Sequence, residues 1–129
     1  MLISKPRIGV LGGGQLGRML FQSALDLDLD VHFLDPDPQA PCQAITPNFV
    51  NGSITDYQSV LEFGRDCDLI TIEIENVNVD ALKKLVSLGK MVYPQPEVIE
   101  IIQDKLTQKE FFKQNGIPTS AFIPTRNQQ

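Results

Sequence analysis

The 129-residue chain has no tryptophan, one histidine and two cysteines. The histidine, His32, alternates with Val31 and Phe33 and has no cluster of acids or thiols at ligand spacing beside it. It therefore reads as a structural residue on a sheet face, and no metal site is expected. Cys42 and Cys67 share no C-x-x-C spacing. No apolar leader stands in Met1–Arg7, so both thiols are expected reduced and the cytoplasm is the expected compartment. Clusters of Lys and Arg are missing too: acidic residues outnumber basic ones 16 to 11, for a net charge of −5. That balance disfavours nucleic acid and anionic membrane as partners. No run approaches the ~20 apolar residues that span a bilayer. There is no internal repeat, no G-x-S-x-G elbow and no G-x-x-x-x-G-K-[ST] loop.

What is present is a 42% hydrophobic composition, sufficient for one ordinary core. Strand and helix patterns alternate along it. The short apolar run Ile8–Leu11 reads as a buried strand and leads into Gly12-Gly13-Gly14-Gln15-Leu16-Gly17-Arg18. From Gln15 to about Leu27, apolar residues at positions 16, 19, 20, 24 and 27 trace one face of a helix. Val31–Leu34 is the next strand, ending at Asp35. Asp35–Pro41 is too rich in proline to extend either element. Phe49–Val50 is a short third strand. Thr55 with Gln58 has capping-box spacing before a helix to about Phe63, with Gly64 as its stop. Asp68–Glu73 is a strand. Asn78 caps a helix over Val79–Leu88 that Gly89 ends. Met91–Tyr93 is a strand ended by Pro94, and Pro96 opens a further helix. Lys105–Asn115 is helical up to Gly116, Thr119–Ile123 begins a strand, and the polar residues 124–129 form a linker. The alternation predicts an α/β fold: a Rossmann-like parallel sheet with helices on both faces.

Three places carry chemistry. Gly12, Gly14 and Gly17 stand at G-x-G-x-x-G spacing between a strand and a helix, where backbone N–H groups and the helix dipole favour an anion. Asp35 lies about twenty residues on, as in dinucleotide-binding folds. An NAD(P)-binding dehydrogenase domain is therefore one reading, although Asp35-Pro36-Asp37-Pro38 crowds the edge that a ribose would need. In Thr71-Ile72-Glu73-Ile74-Glu75-Asn76, period two puts Glu73 and Glu75 on one face at the carboxyl end of a strand. A carboxylate there suits an amine or hydroxyl; solvated acids at a loop start are the plainer alternative. In Asp104-Lys105-Leu106-Thr107-Gln108-Lys109, Lys105 sits at a helix start, where the dipole disfavours a cation. It is either matched to an anionic ligand or simply solvated.

Together these blocks resemble the ATP-grasp 5-(carboxyamino)imidazole ribonucleotide synthetases, the ATPase subunits of bacterial phosphoribosylaminoimidazole carboxylase. Ile8–Leu20 is similar to the opening of that family, Thr71–Val77 to its E-x-E-N/H strand end, and Asp104–Lys109 with Gly116-Ile117-Pro118-Thr119 to its D-[KR]-x-x-x-K…G-[IL]-P-T signature. The resemblance implies a pre-ATP-grasp domain over residues 1–103. It also implies that residues 104–129 are a helix and linker leading to an ATP-grasp domain beyond this sequence. The implied activity of the complete protein is ATP-dependent carboxylation of 5-aminoimidazole ribonucleotide with bicarbonate, in purine synthesis. Gly12, Gly14, Gln15, Leu16, Gly17, Glu75 and Asn76 would lie at the substrate, and Lys105 would contact a phosphate of ATP. ATP and Mg would be held mainly outside this sequence, no residue here would be catalytic, and the chain alone would be inactive. The resemblance further implies a possible homodimer. Another purine-pathway ATP-grasp enzyme, such as the formate-dependent glycinamide ribonucleotide transformylase, stays open, as does a non-catalytic assembly module.

Overall fold

The computed structural model describes residues 4–125. Five parallel strands, β1 (Arg7–Leu11), β2 (Asp30–Asp35), β3 (Phe49–Asn51), β4 (Leu69–Ile72) and β5 (Met91–Val92), form one sheet in the order β3-β2-β1-β4-β5. The helices are α1 (Gln15–Asp26), α2 (Tyr57–Arg65), α3 (Val79–Ser87), α4 (Pro96–Gln103) and α5 (Lys105–Gln114). No helix among the described residues is long and apolar enough to cross a membrane.

Strand alternation splits the core in two. On one face Val10, Val31 and Phe33 pack with Ala24 of α1 and with Cys42 of the β2–β3 loop. On the other, Leu11, Leu34, Ile70 and Val92 meet Val60, Leu61 and Phe63 of α2 and Ala81, Leu82 and Leu85 of α3. Helices thus cover both faces, as the alternation predicts. Ile70, Leu82, Leu85 and Ile99 are fully buried, each worth about 1.5–3 kcal/mol of transfer free energy.

Three local expectations are corrected. The N-cap of α2 is Asp56, not Thr55: its carboxylate accepts from the Ser59 backbone N–H at 2.8 Å and from the Ser59 hydroxyl at 2.9 Å. A carboxylate satisfies two donors there, more than the Thr55 hydroxyl could. Gly64 does not stop α2 but lies inside it, buried where a β-carbon would overlap Leu85; it is a close-packing glycine. No strand forms at Thr119–Ile123. Its chain runs irregularly, with the Thr119 and Ser120 hydroxyls bound to the Lys109 ammonium at 2.6 and 2.7 Å. Residues 126–129 of the expected linker lie outside the described residues.

Helix α1 packs by a narrower face than its apolar stripe. Of its apolar stripe only Ala24 is buried, whereas Leu16, Met19 and Leu27 are 64%, 56% and 70% exposed. The packed face runs instead through Gly17, Phe21 and Ala24. A β-carbon on Gly17 would come within 3.2–3.3 Å of the Gly12 carbonyl oxygen, Cys42 Sγ and the Phe33 ring. That close approach turns the helix so that glycine faces the sheet and the larger apolar side chains face outward.

Candidate functional site

The chain leaves β1 and β4 in opposite directions, toward α1 on one face of the sheet and toward α3 on the other. The crevice between these adjacent strand ends is the topological switch point, where open α/β sheets receive ligands. The glycine turn forms one wall of it. Gly12 has φ of 102°, accessible to glycine at little cost, and its N–H donates to the Leu34 carbonyl at 2.8 Å. Gly14 is the N-cap of α1; no side chain caps this helix and its first turn holds no acidic residue. The N–H groups of this first turn therefore have no side-chain acceptor, a favourable setting for an anion.

The opposite wall comes from the end of β4. The strand stops at Ile72, so the period-two alternation expected through Glu75 does not continue. Its pairing with β1 extends one step further, because the Glu73 N–H donates to the Leu11 carbonyl at 2.8 Å. That bond sets Glu73 level with Gly12. Its carboxylate lies against the turn: a β-carbon on Gly12 would meet Oε2 at 2.5 Å, and one on Gly14 would meet Oε1 at 2.9 Å. Glu73 is half-buried. Among the described residues its carboxylate has neither a hydrogen-bond donor nor a cation within ion-pair distance.

Glu75 is placed differently. Its carboxylate stands 3.9 Å from Lys105 Nζ, and its backbone carbonyl accepts from Gln103 Nε2 at 2.8 Å. Asn76 is exposed. Lys105, 70% exposed, begins α5 behind the N-cap Asp104, whose carboxylate accepts from the Thr107 N–H at 2.7 Å. That bond holds the Asp104 carboxyl below the usual carboxylate range. The structure thus joins the glycine loop to Glu73 and ties Glu75 to Lys105. Glu73 had a signal in the sequence, the E-x-E pair, but which acid meets the loop depended on where the strand stops.

Asp35 does not present itself to a ribose. Its Oδ2 accepts from the Gly13 N–H at 2.7 Å and its Oδ1 from the Asp37 N–H at 2.8 Å. Both oxygens are engaged within the chain, which removes the feature that recommended a dinucleotide. His32 is structural, with Nε2 2.9 Å from Asp30 Oδ1. Cys42 packs under the turn; burial, with the Glu73 and Asp35 carboxylates, pushes its thiol up to about 11. Burial likewise raises the Cys67 thiol to about 11. A cleft at the opposite edge of the sheet gathers Lys5, Arg7, Asp30, Asp66 and Asp68. The Arg7 backbone N–H there donates to Asp68 Oδ2 at 2.7 Å, the Arg7 guanidinium lies 3.6 Å from Asp30, and Lys5 pairs with Asp28. No group of three metal-ligating side chains occurs among the described residues.

A parallel α/β sheet with a glycine turn, an uncapped helix start and an unpartnered carboxylate at the switch point has the architecture of the Rossmann-like domains. Within that class the chain belongs to the ribonucleotide synthetase preATP-grasp domain family, whose model matches residues 5–103. It is 35% identical over 123 residues to the N5-carboxyaminoimidazole ribonucleotide synthase of Staphylococcus haemolyticus, covering 95% of this chain and 32% of that protein. The carboxyaminoimidazole ribonucleotide synthase of Aspergillus clavatus, solved with ATP, superposes with a TM-score of 0.83 at 39% identity, covering 91% of this chain and 31% of the other. The same enzyme solved with ADP and 5-aminoimidazole ribonucleotide gives a TM-score of 0.81 at 38% identity, with the same coverage of 91% and 31%. The chain spans about a third of the length of these relatives.

Proposed function

We propose that this chain is the substrate-binding domain of an ATP-dependent ligase that carboxylates 5-aminoimidazole ribonucleotide with bicarbonate. The observation that carries the reading is the unpartnered Glu73 carboxylate held against an uncapped helix start. A phosphoribosyl amine offers what those two walls lack: an anion for the N–H groups of Gly14, Gln15, Leu16 and Gly17, and N–H or O–H donors for a carboxylate. The similarity to an enzyme solved with that ribonucleotide supports the same ligand.

The role of these residues is orientation. Gly12, Gly14 and Gly17 bring backbone close to the ligand, and Glu73 holds its donor group at the crevice. Glu75 and Asn76 complete the strand end, with Glu75 positioning Lys105. An amine fixed in one pose reacts with an activated carboxyl group far faster than a free one. ATP, bound mainly outside this chain, would supply that activation as a phosphoryl donor to bicarbonate. Lys105 fits an ATP phosphate as a point charge, being exposed at a helix start beside a single carboxylate. The described residues gather no carboxylate cluster for Mg.

Residues 104–129 are then the connection toward the nucleotide-binding part of the ligase, and the 129-residue chain does not turn over by itself. The compartment is the cytoplasm, in keeping with two buried free thiols. A homodimer belongs to the same reading, supported by the exposed apolar stripe of α1. The test is titration of the ¹⁵N-labelled chain with 5-aminoimidazole ribonucleotide. Shifts of the Gly14, Gln15, Leu16 and Gly17 amides, abolished by Glu73→Ala, are expected. Equal shifts with NADH would return the domain to the dehydrogenase class.

A further inference from the structure

The acid at the end of β2 is engaged in a way that the ligand-binding role alone does not require. We propose that Asp35 is a positioning residue for the glycine turn: it is spent on shaping the turn and never touches the ligand. The inference rests on the function proposed above and adds a determinant of which ligand is taken.

Four contacts converge on Gly13. The Asp35 carboxylate accepts its N–H at 2.7 Å, and the Cys42 N–H donates to its carbonyl at 3.0 Å. A β-carbon on Gly13 would lie 3.1 Å from the Phe49 ring and 3.3 Å from Cys42 Cβ. The peptide units on both sides of Gly13 are thereby fixed, and the next N–H groups along the chain are those of Gly14 and of the first turn of α1. Asp35 is itself braced. Asn51 Nδ2 donates to the Asp35 and Pro36 carbonyls, each at 3.0 Å, and the Gly52 N–H donates to the Asp35 carbonyl at 3.0 Å. The Asp37 N–H occupies the second carboxylate oxygen at 2.8 Å, and the Asp37 carboxylate in turn accepts from the Gln39 N–H at 2.8 Å. The proline-rich segment 35–42 is therefore a strut between β2 and the turn.

This arrangement has a consequence for selectivity. A dinucleotide-binding acid must leave its oxygens free for ribose hydroxyls. Here neither oxygen is free, and a ribose would have to displace two charge-assisted hydrogen bonds worth more than neutral ones. Hydroxyl recognition passes to Glu73 across the crevice, and a single phosphoribosyl group, not a dinucleotide, fits the walls that remain.

The experiment uses the ¹⁵N-labelled 129-residue chain as wild type, Asp35→Asn, Asp35→Ala and Asn51→Ala. Two quantities are read: hydrogen exchange at the Gly13 amide and affinity for 5-aminoimidazole ribonucleotide. Asp35→Ala is expected to exchange Gly13 at least tenfold faster, with Val10 and Phe33 unchanged, and to bind at least tenfold more weakly. Asp35→Asn keeps an acceptor for Gly13 and is expected within threefold of wild type in both readouts. Asn51→Ala, which leaves the carboxylate in place, is expected to be intermediate and covers the case in which Asp35→Ala does not fold. Normal binding with a freely exchanging Gly13 would overturn the proposal. So would lost affinity in Asp35→Asn with Gly13 still protected, because Asp35 would then contact the ligand by its charge. If wild type itself does not bind, the proposed function fails first and takes this proposal with it.

Discussion

Replacing Gly12 by alanine tests the geometry on which the site depends. Two costs combine there. An L-residue at φ of 102° is strained by roughly 1–2 kcal/mol relative to glycine. The added methyl group would also sit 2.5 Å from Glu73 Oε2, 3.1 Å from Glu73 Cβ and 3.2 Å from Ile74 Cγ2. The carboxylate end can swing away, but the Cβ contact is fixed by the backbone bond from Glu73 to Leu11. Overpacking of this kind costs about 1–3 kcal/mol. Gly12→Ala is therefore expected to lose about 2–5 kcal/mol, a large part of an ordinary domain's stability. Gly89 is the control, with φ of 85° and no atom within 4 Å of an added β-carbon, so Gly89→Ala should lose only the conformational part, about 1–2 kcal/mol. Urea unfolding followed by circular dichroism measures both. Adding Glu73→Ala to Gly12→Ala should recover about 1 kcal/mol by removing the carboxylate contact, a coupling that a double-mutant cycle isolates. Equal losses at Gly12 and Gly89, or no coupling to Glu73, would refute the placement of Glu73 against the turn.

Four further outcomes are expected. If the proposed function holds, Glu73→Gln in the full-length protein should raise KM for 5-aminoimidazole ribonucleotide by tenfold or more with little change in KM for ATP. Glu75→Ala, which breaks only an exposed 3.9 Å pair with Lys105, should cost the fold under about 1 kcal/mol; steady-state kinetics and urea titration check the two. Both thiols, raised to about 11 by burial, should stay protonated at pH 8, so the native chain should react with Ellman's reagent at least tenfold more slowly than the urea-unfolded chain. The N-cap carboxyls Asp56 and Asp104 are lowered, chiefly by the backbone N–H bonds from Ser59 and Thr107. Their stabilisation is present above the unfolded carboxyl range and lost as pH falls through the lowered values. The acid side of a Tm-against-pH curve should therefore flatten in Asp56→Ala, and an unchanged slope would deny the cap its role.

The architecture was legible because each strand here is short, apolar and punctuated by a residue that stops it. Gly89 and Gly116 end their helices at φ of 85° and 67°, and Asn78 caps α3 through its side chain, all visible as local signals. Gly64 misled by the same reasoning. A glycine that ends a helix and one that lets a neighbour close in are the same letter, and only the Leu85 side chain tells them apart there. The helix stripe at Leu16, Met19 and Leu27 shows a related limit: periodicity reports that a helix has an apolar face, not that this face meets the sheet.

By itself the sequence determined the α/β class, the glycine turn at the end of the central strand, and the acids and lysine that stand near it, because those depend on neighbours a few residues apart. Tertiary structure alone decided where each carboxylate lies. Asp35 is turned inward to the Gly13 N–H, Glu73 is set against Gly12 and Gly14, and Glu75 is drawn to Lys105. These choices follow from where β4 stops and how the 35–42 segment folds back. They join residues 22 to 61 positions apart in the chain, beyond the reach of any local pattern.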